Sequence, residues 1–296
     1  MPTREAIGVI GLGIMGSAMA ANILAAGFPV LGYDVRGSRC TSLTKAGGRA
    51  TRSARDVANR ASVVITSLPT AQSLHDVAAE LAVAGQRGQT VVETSTLPIG
   101  VKQEARALLA RRGVILLDCP LSGTGAQARV KDLVVYASGA RSAYRRCVPV
   151  LEAFARAHYF LGPFGAGSRM KFVANLLVAI HNVSTAEALV LGMKAGLDPA
   201  TMVSVLGDGA GSSRMLQVRG PIMVKGDYSA AAMKVRVWQK DMTIIGEFAR
   251  ELECPTPLFA ATTAVYNAAM ALGFEDADTA CVCAVLENWA TMRRRA

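Results

Sequence analysis

Three polar residues follow one another at helical spacing inside a long, mostly apolar stretch of the chain. Lys171 and Asn175 are four residues apart and therefore share one face of a helix, and Asn182 falls near that face. Two interpretations are open. The residues form a solvent-exposed stripe, or they form a polar row that faces a ligand crevice and has hydrogen-bond partners there. In the second case partial burial lowers the pKa of the lysine, which then exchanges a proton with a hydroxyl or carbonyl group.

Glycines with a characteristic spacing stand near the start of the chain. The apolar run 6–10 has the length of a strand, and Gly11, Gly13 and Gly16 follow it before a helix-forming run that starts at Ser17. In this context the first glycine permits a tight turn, the second a close approach of a pyrophosphate, and the third the packing of the helix on the strand. Amide groups at the helix start then face the phosphates. The sequence therefore predicts a dinucleotide site; the alternative is a glycine-rich turn in another kind of α/β domain.

An acidic residue ends the second predicted strand. Asp34 lies 18 residues after Gly16, where a carboxylate binds the ribose hydroxyls of the adenosine half of the cofactor. A carboxylate repels the 2′-phosphate of NADP, so Asp34 favours NAD, whereas Arg36 can partly offset that repulsion. We therefore expect NAD as the cofactor, with NADP as the alternative.

A third candidate segment is the loop 118–125, which reads Asp-Cys-Pro-Leu-Ser-Gly-Thr-Gly. Its hydroxyl groups and exposed amides are typical of a surface that binds a carboxylate. The three histidines, His75, His158 and His181, have neither triad nor metal spacing, and the six cysteines include no pair with zinc-ligand spacing. We therefore predict a small carboxylate-bearing substrate and no metal, and we expect the cysteines to be reduced thiols.

Strands and helices alternate through the first half of the chain, which predicts a parallel, doubly wound, Rossmann-like α/β sheet. In such sheets ligands bind at the carboxyl ends of the strands. Leu68, Pro69, Thr96 and the loop after Asp118 should therefore face the same crevice as the glycine loop. The predicted strands are 6–10, 30–33, 63–67, 90–93, 114–117, 133–137 and 159–161, and the predicted helices between them include 71–84, 99–112 and 142–154.

Helices follow one another almost without strands from residue 168 onward. The first of them, 168–195, would span roughly 40 Å at ~1.5 Å per residue, which suits a helix that joins two domains. We therefore predict a dinucleotide-binding domain, 1–164, and an all-α domain, 165–296, joined by this long interdomain helix. The later predicted helices are 199–207, 231–252, 257–273 and 279–293.

The net charge of the chain is +10, but its basic residues are scattered. The one dense run, Arg293–Arg295, is most simply a solvated tail, and aromatic residues make up 5% of the chain, which argues against a base-stacking surface. A positive field instead suits anionic cofactors and acid substrates. We predict no nucleic-acid partner. Neither a signal peptide nor an apolar stretch of membrane length is apparent, so we expect a cytoplasmic protein with no membrane partner.

Four segments of the chain resemble the β-hydroxyacid dehydrogenases, a family that includes 3-hydroxyisobutyrate dehydrogenase and tartronate semialdehyde reductase. Gly11-Leu12-Gly13-Ile14-Met15-Gly16 is similar to their cofactor motif, and 118–124 to their substrate loop. The segment 165–171, together with Asn175, is similar to their catalytic segment, and Lys240-Asp241-Met242 to a late lysine-aspartate motif. The four motifs occur in order and span nearly the whole chain.

The resemblance implies a role for each residue of the predicted catalytic and substrate site. Lys171 is the general acid/base at the substrate hydroxyl, and Asn175 orients the substrate or the lysine. Ser122 and Gly123 bind the substrate carboxylate through hydroxyl and amide groups. Thr124 stands where the family usually has a second glycine, so its side chain should alter the shape of the substrate.

The resemblance also implies the contacts of the cofactor and the assembly of the protein. Thr96 contacts the nicotinamide side, Lys240 closes over the nicotinamide end, and the helical domain builds a homodimer or homotetramer. Together with Asp34 and Arg36, the predicted cofactor contacts are Gly11, Leu12, Gly13, Ile14, Met15, Gly16, Leu68, Pro69, Ser73, Thr96 and Lys240.

These residues predict an NAD(P)-dependent oxidoreductase that transfers hydride between the nicotinamide and a small 3-hydroxy acid, or its 3-oxo acid or semialdehyde. A first alternative is an imine reductase on the same scaffold, although such relatives usually lack the lysine that stands here at position 171. A second alternative is a dinucleotide-binding module without enzymatic activity. Such modules tend to carry extra domains or to lose the same lysine.

Overall fold

The computed structural model of the protein describes residues 5–292. It separates the chain into two compact units, Met1–Lys171 and Phe172–Ala296. The predicted division between residues 164 and 165 lies a few residues earlier, and the function assigned to each half stays a prediction. The predicted solvated tail, 293–295, and the last residue of the predicted helix 279–293 lie outside the described residues.

A six-stranded parallel sheet forms the centre of the first unit, with the strand order β3-β2-β1-β4-β5-β6. Its register places the last residues of five strands side by side: Ile10, Tyr33, Thr66, Glu93 and Asp118. The strands are β1 (Ile7–Ile10), β2 (Val30–Tyr33), β3 (Arg49–Ala50), β4 (Val63–Thr66), β5 (Thr90–Glu93) and β6 (Ile115–Asp118). The segments that follow these ends therefore leave the sheet at one edge, where ligands bind in such folds.

Apolar side chains bury both faces of this sheet, as expected for a doubly wound fold. Alternate residues of β4, β5 and β6 enter two separate cores, one containing Val64, Val91 and Leu116 and the other Ile65, Val92 and Leu117. The covering helices are α1 (Ile14–Ala25), α2 (Gly37–Lys45), α3 (Ala54–Ala58), α4 (Ala71–Ala84) and α5 (Ile99–Ala110). The predicted doubly wound sheet is confirmed, and α4 and β5 have the predicted bounds.

A second, three-stranded sheet completes the first unit, and part of it was not predicted. Strand β7 (Leu121–Ser122) is antiparallel to β8 (Val134–Ala137), which is parallel to β9 (Ala157–Phe160). Between them lie α6 (Gly125–Arg129) and α7 (Arg141–Phe154). The interpretation of 118–125 as a loop throughout was wrong, because β7 and the start of α6 are too short to leave a periodic pattern in the sequence.

Helices make up the second unit, as the sequence predicts. They are α8 (Ala166–Lys194), which begins in the first unit, α9 (Pro199–Asp208), α10 (Arg214–Lys225), α11 (Val235–Glu251), α12 (Pro257–Ala271) and α13 (Val282–Trp289), with a 3₁₀ turn at Thr279–Cys281. Helix α10 was missed because Pro221 stands inside it, where proline ordinarily breaks a helix. The side chain of Ser213 caps α10 by accepting a hydrogen bond from the Leu216 amide.

Helix α8 is, among residues 5–292, the one helix whose length and composition would allow it to span a membrane. Core helices of soluble proteins have the same properties, and the buried positions of α8 include Lys171, Asn175 and Asn182. Asn182 donates hydrogen bonds to the Tyr266 hydroxyl at 3.0 Å and to the Thr279 carbonyl at 2.8 Å. The expectation that no apolar stretch reaches membrane length was thus wrong for α8, but its buried polar residues and their hydrogen bonds are typical of a core helix.

The start of α8 packs so closely on neighbouring backbone of the first unit that a methyl group does not fit there. A Cβ at Gly167 would collide with the Tyr136 carbonyl oxygen and lie 2.7 Å from the Asp118 carbonyl oxygen. We predict that Gly167→Ala lowers the free energy of unfolding by about 1–3 kcal/mol, measured by urea denaturation, because neither backbone group can move freely. Gly100→Ala, in open space on α5, is the control and should not destabilise the protein. Equal stability of the two variants would contradict this packing.

Candidate active site

The glycine loop between β1 and α1 has the geometry that a dinucleotide site needs. Gly11 has a φ of +88°, and a Cβ there would collide with the Ser67 carbonyl oxygen. A Cβ at Gly16 would collide with the Gly11 carbonyl oxygen. The space over Gly13 is open, since a Cβ there would have the Arg39 guanidinium, 3.8 Å away, as its nearest neighbour. This cradle at the amino end of α1 fits the pyrophosphate of NAD(P).

Asp34 is buried at the end of β2 and is held by three donors. Its carboxylate accepts hydrogen bonds from the Leu12 and Arg36 amides, both at 2.8 Å, and from Arg39 Nη1 at 3.0 Å. Burial opposes ionisation, but these donors outweigh it and lower the pKa of the Asp34 carboxyl. The charge beside the glycine loop is therefore fixed as a carboxylate.

The arginine that pairs with Asp34 is Arg39, whereas the sequence suggested Arg36 only as a residue that offsets the repulsion of a 2′-phosphate. Arg36 contributes its backbone amide, and its side chain is exposed. Arg39, in the first turns of α2, places its guanidinium on the carboxylate and close to Gly13. A signal was present in the sequence, because α2 starts directly after Asp34 and its first turn points back to the end of β2.

Two further predicted cofactor segments lie at the ends of β4 and β5 and are joined to each other. The Leu68 amide donates to Ser95 Oγ at 2.8 Å, next to Thr96, and Pro69 is exposed one residue further on. Ser73 lies in the first turn of α4, where its hydroxyl and amide form a capping box with Thr70. The Ser73 hydroxyl therefore has a structural role, and its contact with a cofactor stays a prediction.

A turn and a helix cap determine the conformation of the predicted substrate loop. Gly123 has a φ of +132°, and a Cβ there would lie 2.6 Å from Leu133 Cδ2. Thr124 is the N-cap of α6 and forms a capping box with Gln127, whose Oε1 accepts from the Thr124 amide at 3.0 Å. Ser122, half-buried, ends β7 just before this turn. The Thr124 hydroxyl thus caps the amino end of α6. Its effect on the shape of the substrate stays a prediction.

Direct packing brings the predicted substrate loop and the glycine loop together. Helix α6 lies on α1, where Asn22 Nδ2 donates to the Ala128 carbonyl at 2.7 Å. Gly125, the first residue of α6, leaves no room for a Cβ against the side chain of Ile14, the first residue of α1. Two predicted motifs that are more than a hundred residues apart in sequence are therefore neighbours.

The polar row on α8 is buried, so the solvent-exposed interpretation of Lys171, Asn175 and Asn182 was wrong. The exposed fractions of Lys171 and Asn175 are 9% and 5%. Asn175 donates to Asp241 Oδ2 at 2.8 Å, and Lys240 Nζ lies 3.6 Å from Asp241 Oδ1. Within the second unit, Asp241 thus connects two predicted site residues, Asn175 and Lys240.

Sequence reasoning missed a cluster of buried charges at the ends of β5 and β6. Lys102 Nζ of α5 lies 2.8 Å from Asp118 Oδ1 and 3.8 Å from Glu93 Oε1. Burial opposes the charged form of the lysine, but these carboxylates, Asp118 foremost, outweigh it and raise the pKa of Lys102. A signal was present, since Lys102 shares one helix face with the buried Ala105 and Leu109.

Comparison with known proteins matches both halves of the chain. Residues 6–162 match the family model of the NAD binding domain of 6-phosphogluconate dehydrogenase. Residues 165–286 match the model of the NAD-binding domain of NADP-dependent 3-hydroxyisobutyrate dehydrogenase.

Individual relatives match nearly the whole length of the chain. The chain is 35% identical over 280 residues to an L-threonate dehydrogenase of Cupriavidus necator, covering 93% of this chain and 94% of that protein. A crystal structure of 3-hydroxyisobutyrate dehydrogenase from Salmonella typhimurium superimposes with a TM-score of 0.86 at 30% identity and covers 95% of this chain and 99% of that one. The 3-hydroxyisobutyrate dehydrogenase of Mycobacterium tuberculosis, solved with L-serine, reaches a TM-score of 0.87 at 27% identity, covering 96% of this chain and 99% of that one.

Imine reductases share the fold at a greater distance. The imine reductase from Pseudomonas sp. superimposes with a TM-score of 0.64 at 20% identity, covering 96% of this chain and 99% of that one. This likeness extends to the fold alone. Both the family models and the whole-length relatives instead favour the dehydrogenases.

Proposed function

The chain belongs to the β-hydroxyacid dehydrogenase family, and we propose that it is an NAD(P)-dependent oxidoreductase acting on a small 3-hydroxy acid. The observation that carries the proposal is the buried pair Lys171 and Asn175, one turn apart on α8. A lysine in this position suits a proton transfer at a hydroxyl, and the L-threonate dehydrogenase and the 3-hydroxyisobutyrate dehydrogenases named above are dehydrogenases of hydroxy acids.

In the proposed reaction the protein binds and orients the acid and moves one proton. Lys171 Nζ takes the proton of the substrate hydroxyl during oxidation and returns it during reduction. The Ser122 hydroxyl and the Gly123 amide hold the carboxylate, and Asn175, fixed by Asp241, orients the reacting group. When bound, the nicotinamide supplies the hydride acceptor or donor. The capped substrate loop and the closely packed start of α8 support the orientation on which such a transfer depends.

For the cofactor we propose NAD in preference to NADP. The Asp34 carboxylate accepts hydrogen bonds from the ribose hydroxyls and repels a 2′-phosphate. Arg39, paired with that carboxylate at 3.0 Å, weakens the repulsion, so NADP should bind less tightly and still be used. Leu68, Pro69, Ser73, Thr96 and Lys240 complete the proposed contacts of the cofactor.

We also propose a cytoplasmic homodimer or homotetramer, with exposed apolar residues of α8 in the contact between copies. Val173, Leu177 and Leu191 are 53%, 46% and 73% exposed, and with the half-buried Ile180 they occupy a and d positions of a heptad whose two such positions between Ile180 and Leu191 hold a serine and a glutamate. A stripe of this kind is a common contact between helices of two subunits.

Lys171→Met tests the proposed reaction. We expect kcat to fall by about 10²–10⁴-fold, the usual contribution of general acid–base catalysis, while the Kd of NAD is unchanged. The assay is a panel of 3-hydroxy acids with NAD and NADP, and a cyclic imine with NADPH, followed by the absorbance of the reduced nicotinamide. Lys194→Met, at the other end of α8, is the control. Turnover within a few-fold of wild type in Lys171→Met, or a preference for the imine, would refute the mechanism.

Substitutions of Asp34 and Arg39 test the choice of cofactor. Asp34→Asn should weaken NAD about tenfold, because a hydrogen bond to a charged group is lost, and it should strengthen NADP. Arg39→Gln should weaken NADP more than NAD, whereas Arg36→Gln should have the smaller effect on NADP. Titration of nicotinamide fluorescence with NADH and NADPH measures each Kd. Equal effects on the two cofactors would remove these residues from the recognition of the ribose.

Leu191→Glu tests the proposed contact between copies. A buried carboxylate without a partner is strongly unfavourable, so the variant should dissociate to smaller species, as measured by light scattering after gel filtration. Leu197→Glu, an equally apolar exposed residue outside α8, is the control and should keep the wild-type mass. An unchanged mass for Leu191→Glu would place the subunit contact elsewhere.

A further inference from the structure

The cluster of Lys102, Glu93 and Asp118 takes no part in the chemistry proposed above and yet lies at the edge of the sheet where the site is built. None of the three side chains has exposed surface, and one ammonium faces two carboxylates. Removing ions from water costs several kcal/mol each, and apolar residues of similar volume often serve stability as well or better. Stability alone therefore does not account for three buried charges at this place.

Each carboxylate of the cluster is hydrogen-bonded to one functional segment. Glu93 is hydrogen-bonded to the segments that contain proposed cofactor contacts. Glu93 Oε1 accepts a hydrogen bond from the Ser95 amide at 2.7 Å, and its other oxygen accepts one from the Thr66 hydroxyl. Ser95 Oγ in turn accepts from the Leu68 amide at 2.8 Å. Glu93 thus holds together the turns after β4 and β5, which contain the proposed cofactor contacts Leu68 and Thr96.

Asp118 is hydrogen-bonded to the first turn of α8, the helix that contains Lys171. Its Oδ1 accepts from Lys102 Nζ at 2.8 Å and from Ser168 Oγ at 2.7 Å, and its Oδ2 accepts from the Ser168 amide at 2.8 Å. Ser138 Oγ donates to the same Oδ2 at 3.2 Å and accepts from the Gly167 amide at 3.0 Å. Amides in the first turn of a helix have no partner within the helix, so these bonds fix the start of α8. Lys171 lies three residues after Ser168.

We propose that Lys102 is a positioning residue for the reaction: by holding Glu93 and Asp118 together, it keeps the cofactor turns and the first turn of the Lys171 helix in a fixed arrangement. The inference rests on the proposed function, because it assigns Lys102 to the geometry of that reaction. Lys102 acts through the two carboxylates. Without its ammonium, two like charges remain buried near each other, and their hydrogen bonds to Ser95 and Ser168 loosen.

The hydrogen bonds from Glu93 to the turns after β4 and β5 (the Glu93 branch) and those from Asp118 to the start of α8 (the Asp118 branch) can be removed by separate substitutions. Each substitution should then change a different constant, either the Kd of NADH or kcat. Ser168→Ala removes one hydrogen bond of the Asp118 branch, so kcat should fall while the Kd of NADH is unchanged. Ser95→Ala removes the bond to Leu68 in the Glu93 branch, so the Kd of NADH should rise while kcat at saturating cofactor is unchanged. Lys102→Met should change both constants, with kcat lower by on the order of 100-fold, as expected when reacting groups are misplaced by about 1 Å.

Hydrogen exchange of the protein without cofactor or substrate gives a measurement that is independent of turnover. In Lys102→Met the amides of Ser95, Gly167 and Ser168 should exchange at least about tenfold faster than in wild type, since their acceptors have loosened. Amides in the middle of β1, such as Val9, should keep their wild-type rates. If Lys102→Met does not fold, the Ser168→Ala and Ser95→Ala variants carry the test by the same two measurements.

Gln89→Leu is a matched control at the opposite edge of the same sheet. It removes two buried hydrogen bonds of Gln89 Nε2, to the carbonyls of Ala58 at 2.8 Å and Ala61 at 2.6 Å, just before β5. It should destabilise the protein and leave kcat and the Kd of NADH unchanged. Wild-type kcat and wild-type exchange rates in Lys102→Met would overturn the inference. Absence of hydroxy-acid turnover in wild type, combined with faster exchange in Lys102→Met, would instead refute the proposed function and leave the positioning role intact.

Discussion

The hydrogen bonds of a single buried carboxylate, Asp118, connect the sheet of the first unit with the start of the helix that carries Lys171. This side chain accepts from Lys102, from both donors of Ser168 and from Ser138, so nearly all of its acceptor capacity is used. A carboxylate in that position also complements the positive end of the α8 dipole. Because Lys171, the proposed proton acceptor and donor, lies one turn further on, its place depends on a residue that is not among the proposed contacts of substrate or cofactor.

A second buried carboxylate, Asp34, lies at the end of β2 on the same edge of the sheet and holds a different segment in place. Asp34 fixes the glycine loop through the Leu12 amide and is itself held ionised by Arg39 and the Arg36 amide. One acidic side chain thus shapes the glycine loop and also stands where we propose that the adenine ribose binds. The two carboxylates explain why charged residues are buried here at all: each orders a backbone segment that contains proposed ligand contacts.

Local patterns made much of this structure predictable. Short apolar runs indicated β1, β4 and β5, because a strand is a short-range feature of the sequence. The glycine spacing indicated the cradle for the same reason. Lys102, Glu93 and Arg39 were missed because their importance comes from partners on other elements. Helix α6 has five residues, and α10 contains Pro221, so neither has the pattern of an ordinary helix. The burial of Lys171 and Asn175 likewise follows from packing and not from their spacing.

The last residues of five strands lie side by side, and this register limits where the chain can gain residues. A one-residue slip of a strand would turn its side chains to the other face of the sheet, so the row tolerates no insertion within β5 or β6. At the amino edge, by contrast, the turn 86–88 is exposed and lies away from every proposed ligand contact of the first unit. This turn is the natural place to graft a peptide tag or a fluorescent reporter, since added residues there leave the spacing from Glu93 to Asp118 untouched.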